Sequence, residues 1–282
     1  MITSDVVRQR VRTLPSLPTT VVSLGQAIAD DRCSVDRVLG ILAKDPPLSA
    51  SMLRLANSVA YAGDQRVLDL RTAVMRLGFE AVLSLGRTAA IIRSFRGADH
   101  LDVFRLWQHS VAVALVSKGI CRLIRRNHLD ETAYLAGLLH DIGKIALDRC
   151  FSDAYGPVIQ AIDRGDPWLD AEFGQLGLTH AEVGAMVAEH WAFPEALVIA
   201  IRDHHEDGLV HFLPALVQIA DLLVRTRIPN GPADEHLMFA LEEQPAYQVV
   251  FGDADIDAER LTFSIDDELE HAVTFVKLAF QD

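Results

Sequence analysis

The chain has 282 residues, of which 50% are hydrophobic and 23% charged, with a formal net charge of −13. That is ample apolar material for a folded core and excludes global disorder. The acidic balance argues against non-specific nucleic-acid binding and against docking on an anionic membrane, both of which need a basic surface.

No apolar run reaches the ~18 residues that a membrane span needs. The N-terminal stretch MITSDVVRQR lacks the apolar core of a secretion signal. Cys33, Cys121 and Cys150 stand apart with no CxxC, which fits free thiols in a reducing compartment, and a cytoplasmic protein is expected.

The periodicity predicts helices in chain order. Thr19 to Asp30 places Val22, Leu24, Ala27 and Ile28 near one stripe. Ser34 to Ala43 repeats the pattern with Val35, Val38, Leu39 and Leu42. Asp45-Pro46 reads as an N-cap followed by proline at the first helical position, with Asn57-Ser58 and Gly63 marking the end. Arg71 to Leu77 is closed by Gly78, and Phe79 to Ile92 follows. Phe104 to Ile124 is a long striped helix, and Glu131 to His140 a shorter one stopped near Gly143. Phe151 to Arg164 comes next. Thr179-His-Ala-Glu182 is a capping box opening a helix to about Trp191. Pro194 starts another, to about His205, and Leu213 to Arg225 is a further one. Ser264, as N-cap, starts the last, which runs to Phe280. Gln248 to Phe251 is the best strand candidate. The expectation is an all-α protein of about a dozen helices, more than a four-helix bundle needs.

Charge divides the chain. Residues 1–98 carry 13 basic and 8 acidic side chains, a net of +5. Residues 99–230 are at −7 and residues 231–282 at −11. With turn-rich boundaries at Gly97–His100 and Pro229–Pro232, three regions are expected: an N-terminal helical region over residues 1–98, a helical subdomain over 99–230 and an acidic C-terminal segment over 231–282. The acidic segment reads first as a solvated face, and alternatively as a docking surface for a basic partner.

The placement of the eleven histidines carries the functional signal. His109 lies on the long helix. His140-Asp141 ends the run Tyr134-Leu-Ala-Gly-Leu-Leu-His-Asp-Ile-Gly-Lys144. His180 opens the capped helix, His204-His205 ends another, and Asp221 sits in the apolar context Gln-Ile-Ala-Asp-Leu-Leu. A carboxylate on an apolar helix face needs a compensating metal, proton or donor. Imidazole and carboxylate together suit Fe, Mn, Zn or Ni, whereas oxygen-only sites suit Mg or Ca. Any one histidine alone reads as a satisfied core or surface residue, and Lys144 alone as a solvated helix-end lysine. Trp107, Trp168 and Trp191 read as core or loop anchors.

The order His…His-Asp…Asp, with Leu-Leu-His-Asp-Ile-Gly-Lys at its centre, resembles the HD superfamily of metal-dependent phosphohydrolases. Leu-Pro-Ser-Leu-Pro at 14–18, Lys-Asp-Pro-Pro-Leu-Ser at 44–49, Leu-Arg-Leu-Ala-Asn-Ser at 53–58 and Ala-Val-Met-Arg-Leu-Gly at 73–78 are similar to the HDOD (HD-related output domain) family. So are Trp107-Gln-His-Ser110 and Trp191-Ala-Phe-Pro194 before His204-His205. The resemblance covers about residues 10–225. It implies an HD-like helical core with an N-terminal helical subdomain, in a bacterial signalling module that acts through a protein partner or a small phosphate-containing ligand.

Carried over position by position, it implies a basic metal site of His109, His140, Asp141 and Asp221. His180 with His204 or His205 would extend it to two metals, and Lys144 would face a substrate phosphate. The alternative it implies is an active metal-dependent phosphohydrolase on a phosphomonoester, nucleotide or cyclic nucleotide, with Asp141 and Lys144 in catalytic roles. The run His204-His-Glu-Asp-Gly-Leu-Val-His211 lacks the Gly-Tyr-Pro element of cyclic di-GMP phosphodiesterases, which argues against that substrate.

Overall fold

The computed structural model describes residues 2–28, 30, 32–58, 61, 65–228, 234, 237, 240–252 and 258–280. Among them there is no strand, and the all-α class expected from the sequence holds.

The chain begins with α1 (Ser4–Val11), which the periodicity does not announce. Three short helices follow: α2 (Thr19–Ile28), α3 (Val35–Leu42) and α4 (Pro46–Ala56). The Asp45-Pro46 signal acts as expected, with the Asp45 carboxylate accepting from the Leu48 N–H at 2.9 Å. In α2 the inward face is Val21, Leu24 and Ala27, and Val22 is 45% exposed. The stripe thus starts one residue before the expected Val22, since a step of one residue turns a side chain ~100° around the axis.

Asn57 ends α4. Its amide donates to the carbonyls of Leu53 and Val67, and its Oδ1 accepts from the Val67 N–H. Gly63, expected to share that role, lies outside the described residues. Helices α5 (Leu70–Leu77) and α6 (Phe79–Ser94) meet at Gly78, whose φ of +78° lies where a side chain would be strained.

Next come α7 (Val103–Leu123), α8 (Asp130–Leu139), α9 (Ile142–Cys150), α10 (Ser152–Asp163) and α11 (Trp168–Leu176). The sequence reading stops a helix near Gly143. The chain instead breaks only across His140 and Asp141 and resumes at once as α9. Helices α9 and α11 both escape that reading: α9 is buried from Ile142 to Asp148 and leaves little polar face to mark a period, and the short α11 buries only Ala171, Glu172 and Leu176.

The capping box at Thr179 is present and opens α12 (His180–His190), followed by α13 (Glu195–Asp203) and α14 (Phe212–Arg225). The strand candidate Gln248 to Phe251 is instead part of α15 (Pro245–Phe251). Pro245 presets φ at the first helical position, and the Tyr247 and Phe251 rings pair one turn apart at 4.9 Å. The last helix, α16 (Ala258–Phe280), starts well before Ser264, so Ser264 is interior and not an N-cap. Buried Leu261 extends the apolar stripe of Ile265, Leu269, Ala272 and Val276 upstream, and that packing sets the start. The boundary expected at Pro229–Pro232 lies outside the described residues.

The chain forms two compact units, each discontinuous in sequence. One takes the chain through Leu14 and from Gly97 to Ala272; the other takes Pro15 to Arg96 and the chain from Val273 on. In the second unit α2 packs on α3 and α6, and α4 on α5 and α6. In the first, α8 packs along α7, α12 lies against α9 and α13, and α14 lies against α7 and α8. All of the histidine and aspartate candidates fall within this first unit. Cys121 is buried and Cys33 and Cys150 half-buried, all three as free thiols. No helix among the described residues is long and apolar enough to cross a membrane.

Candidate metal centre

Five elements bring the candidates together. His109 comes from the middle of α7, and His140 and Asp141 from the two-residue break between α8 and α9. His180 is the first residue of α12, His204 and His205 follow α13, and Asp221 lies on α14. The break at His140-Asp141 turns consecutive side chains into one cavity, which a continuous helix would splay apart by ~100°.

Two groups of ligand atoms result, each lying within 4.8 Å: His109, His140 and Asp141 in one, and Asp141, His180, His204 and His205 in the other. Asp141 belongs to both. Its Oδ2 is 3.4 Å from His140 Nε2 and 4.0 Å from His109 Nε2, while its Oδ1 is 3.2 Å from His180 Nε2. Asp221 joins the first group, with Oδ1 at 2.9 Å from His109 Nε2 and 3.9 Å from His140 Nε2. His205 Nε2 stands 3.1 Å from His180 Nε2. All seven are buried except His205, which is half-buried. The structure therefore gathers every residue that the sequence nominated.

The close approach of α9 and α12 depends on glycine. A Cβ at Gly143 would sit 1.9 Å from the His180 carbonyl oxygen and 2.7 Å from the Gly184 nitrogen. Gly137 plays the same role between α8 and α7, where a Cβ would lie 2.7 Å from Ala114 Cα.

The tautomers follow from the outer partners. His140 Nδ1 lies 2.7 Å from the Gly137 carbonyl, and His204 Nδ1 lies 2.7 Å from the Ile201 carbonyl. A carbonyl only accepts, so Nδ1 carries a proton in both rings, and Nε2 is the nitrogen that each ring leaves for a metal. Both Nε2 atoms are buried, with no hydrogen-bond partner among the described residues. His180 Nδ1 donates to Glu172 Oε2 at 2.7 Å, and the same oxygen accepts the His180 N–H. Tyr155 donates its hydroxyl to Glu172 Oε1. This is the carboxylate–imidazole pairing that orients a metal-ligating histidine.

Electrostatics agree. Burial alone would raise the Asp141 carboxyl, but the charges of His140 and Lys144 outweigh it and hold it well below the usual carboxylate range. At Asp221, burial is likewise outweighed by the hydrogen bond and charge of His109. Burial, then the neighbouring imidazoles His205 and His140, pushes His204 well below the usual histidine value. Burial and His180 push His205 down to about 3. At His180, burial is overcome by Glu172, and its pKa rises. Ionised carboxylates beside oriented imidazoles form a donor set suited to a divalent transition metal, so the residues present fit such an ion.

Lys144 is not a solvated helix-end lysine. Its side chain is 2% exposed, its Nζ donates to Asp141 Oδ2 at 2.7 Å, and it lies 4.3 Å from the centre of the Trp168 ring. Trp107 is a core residue, as expected. Glu172 and Asp148 are buried acids that sequence reasoning misses. Asp148 Oδ2 accepts the N–H groups of His100 and Leu101 and so ties the entry of α7 to α9. The only sequence signal for Glu172 is an acid between Ala171 and Phe173, which a solvated helix face explains equally well.

A cavity of about 240 Å³ opens onto the cluster. Asp141, Lys144, His180, His205, Asp221 and Arg225 line it, together with the chain from Asp166 to Asp170 that leads into α11. Arg225 pairs with Asp221 at 3.5 Å and with Asp234.

A helical fold gathering His, His-Asp and Asp around one buried centre is the arrangement of the HD-like proteins. The HDOD domain model matches residues 14–207, and the chain belongs to that family. Among solved structures it is similar over 99% of its length to an HDOD domain protein of unknown function from Geobacter sulfurreducens (TM-score 0.80, 24% identity, all of that chain covered). It is similar over 97% to a protein from Shewanella amazonensis described as a candidate phosphohydrolase (TM-score 0.76, 24% identity, 98% of that chain). At these identities the likeness shows the fold. Among curated proteins it is 27% identical over 202 residues to an uncharacterized Treponema pallidum protein. It is 28% identical over 207 residues to ribonuclease Y of Geobacter sulfurreducens. Those matches take 71% and 73% of this chain, which spans 39% and 31% of the two relatives.

Proposed function

We propose that this chain is an HDOD signalling module whose buried His/Asp cluster holds divalent transition metal, with His109, His140, Asp141 and Asp221 around one ion and Asp141, His180, His204 and His205 around a second. The observation that carries this reading is the pair of buried Nε2 atoms on His140 and His204, each in a ring oriented by a donated Nδ1–H and each lacking a hydrogen-bond partner among the described residues. Family membership supports the signalling role. A protein from Marinobacter aquaeolei described as a candidate signal transduction protein shares the fold (TM-score 0.72). The module would act through a signalling protein partner or a small phosphate-containing ligand, in the cytoplasm. The net charge of −13 disfavours RNA as that partner, despite the ribonuclease relative.

One observation favours a second reading, metal-dependent phosphohydrolysis: the cavity reaches Asp141, His180, His205 and Asp221 from solvent. Bound divalent ions would supply Lewis acidity toward a phosphate oxygen and make a water more acidic. Lys144 uses one N–H on Asp141 and keeps others for a ligand oxygen, while Trp168 covers its ammonium from water.

Elemental analysis of protein purified without chelator tests the first reading. About one or two equivalents of Fe, Mn, Zn or Ni are expected, with the equivalent at the His109, His140 and Asp141 group lost in Asp221→Ala; metal-free wild type that is not stabilised by added metal would overturn it. Glu172→Gln is expected to weaken metal binding at the His180 group by about 10- to 100-fold, because the amide no longer fixes the ring as strongly. Competition with a chromophoric chelator measures that change. Turnover of phosphoesters by the metal-loaded wild type, and its loss in Lys144→Met, decides for the second reading.

A further inference from the structure

The cavity that opens onto the cluster is acidic apart from any metal. Among its described lining residues five carboxylates face Lys144 and Arg225, the only two cations, which leaves three net negative charges when the imidazoles are neutral. Arg225 is already engaged by Asp221 and Asp234. A phosphate group would be repelled from such a cavity. Two divalent ions would invert the sign, to one net positive charge.

The carboxylates are also unevenly placed. Asp141, Asp221 and Asp234 are buried, whereas Asp166 and Asp170 are exposed and therefore stand at the rim. Neither Asp166 nor Asp170 has a hydrogen-bond or ion-pair partner for its side chain among the described residues. Between them, Pro167, Trp168 and Leu169 supply an apolar wall, with the Trp168 ring also over Lys144. The volume of about 240 Å³ falls below the ~300–1,000 Å³ of sites for drug-sized ligands. A dinucleotide does not fit; one phosphate and a short organic group do.

We propose, resting on the metal and phosphate-ligand reading above, that the occupant is a small phosphate monoester whose alcohol portion carries an ammonium or comparable N–H donor, and that it enters only after the metal. The phosphate faces the cluster and Lys144. The donor end meets Asp166 and Asp170, and the connecting carbons lie along the Pro167–Leu169 wall. The buried centre selects phosphate, and the acidic rim selects among phosphate esters.

The test is titration calorimetry of the Mn-loaded protein with O-phosphoethanolamine, n-propyl phosphate and inorganic phosphate, repeated after EDTA treatment. The first two differ in little but the ammonium. The aminoethyl ester is expected to bind about two- to fivefold more tightly than the propyl ester, the range for exposed ion pairs. That ratio should fall to near one in the double variant Asp166→Asn, Asp170→Asn. Equal affinities in the wild type, or a ratio unchanged in the variant, would overturn the rim's role. Binding of any of the three to the EDTA-treated protein would overturn the order of entry. Failure of both esters and of inorganic phosphate to bind the loaded protein overturns the phosphate reading itself, a result distinguishable from loss of the preference alone. The substituted residues are exposed, so the variant tests selection and not folding.

Discussion

Asp141→Asn is expected to empty both halves of the centre, lowering metal content from about two equivalents to close to none. Asp141 is the one carboxylate whose two oxygens face both groups, Oδ2 toward His140 and His109 and Oδ1 toward His180. Asparagine keeps the shape but offers one neutral carbonyl where two anionic oxygens stood. The contrast is His205→Ala, which touches the second group alone and is expected to lose about one equivalent. Elemental analysis of both variants beside the wild type decides the matter. Equal losses in the two would show that Asp141 does not serve both groups. The substitution also leaves the Lys144 ammonium buried without its carboxylate, and breaking such a pair costs about 3–5 kcal/mol. Some of that cost is relieved by the Trp168 ring 4.3 Å away. Circular dichroism on the same samples separates an emptied centre from an unfolded one.

Gly143→Ala is expected to be among the most damaging single-methyl additions in the chain. The added carbon would fall 1.9 Å from the His180 carbonyl oxygen and 2.7 Å from the Gly184 nitrogen, both backbone atoms of α12. Backbone cannot rotate away as a side chain can, so α9 and α12 must separate. Overpacking of this kind costs about 3 kcal/mol or more, which lowers the melting temperature of a domain this size by roughly 6–12 °C. His180 sits at the point of collision, so metal binding should fall with stability. Gly174→Ala is the control: nothing lies within 4 Å of a Cβ there, and melting should be unchanged or slightly raised. A melting curve for Gly143→Ala that overlays the wild type would refute the close approach.

Asp141 and Gly143 lie two residues apart, and they mark where sequence reading succeeds and where it fails. The set His109, His140, Asp141, His180, His204, His205 and Asp221 is legible because ionisable groups on apolar helices are costly, and their spacing is distinctive. Capping signals are legible too: Asp45 and Thr179 cap as their neighbours predict, through contacts three residues apart. What depends on distant chain is not legible. Lys144 reads as a solvated helix-end residue and is buried, because Trp168, from a helix that the periodicity does not announce, closes over it. Glu172 reads as a surface acid and is the partner of His180. Gln248 to Phe251 reads as a strand because Val249, Val250 and Phe251 favour strand and carry no period of their own, and Pro245 decides for helix.

The interleaving of the two compact units bears on biosynthesis. As the chain emerges from the ribosome, α1 precedes the other helices described here, yet its packing partners α9 and α12 follow more than a hundred residues later. The unit from Pro15 to Arg96 is then made as one stretch, but it lacks its last helical turns until Val273 and beyond have been synthesised. Neither unit can be isolated by a single proteolytic cut or a single truncation. Loss of the distal half of α16 would remove the Ala279 carbonyl that accepts from Arg96, and with it the seal on the earlier unit. Completion of both units therefore waits on late-made chain, and a product cut short within α16 would leave the earlier unit open.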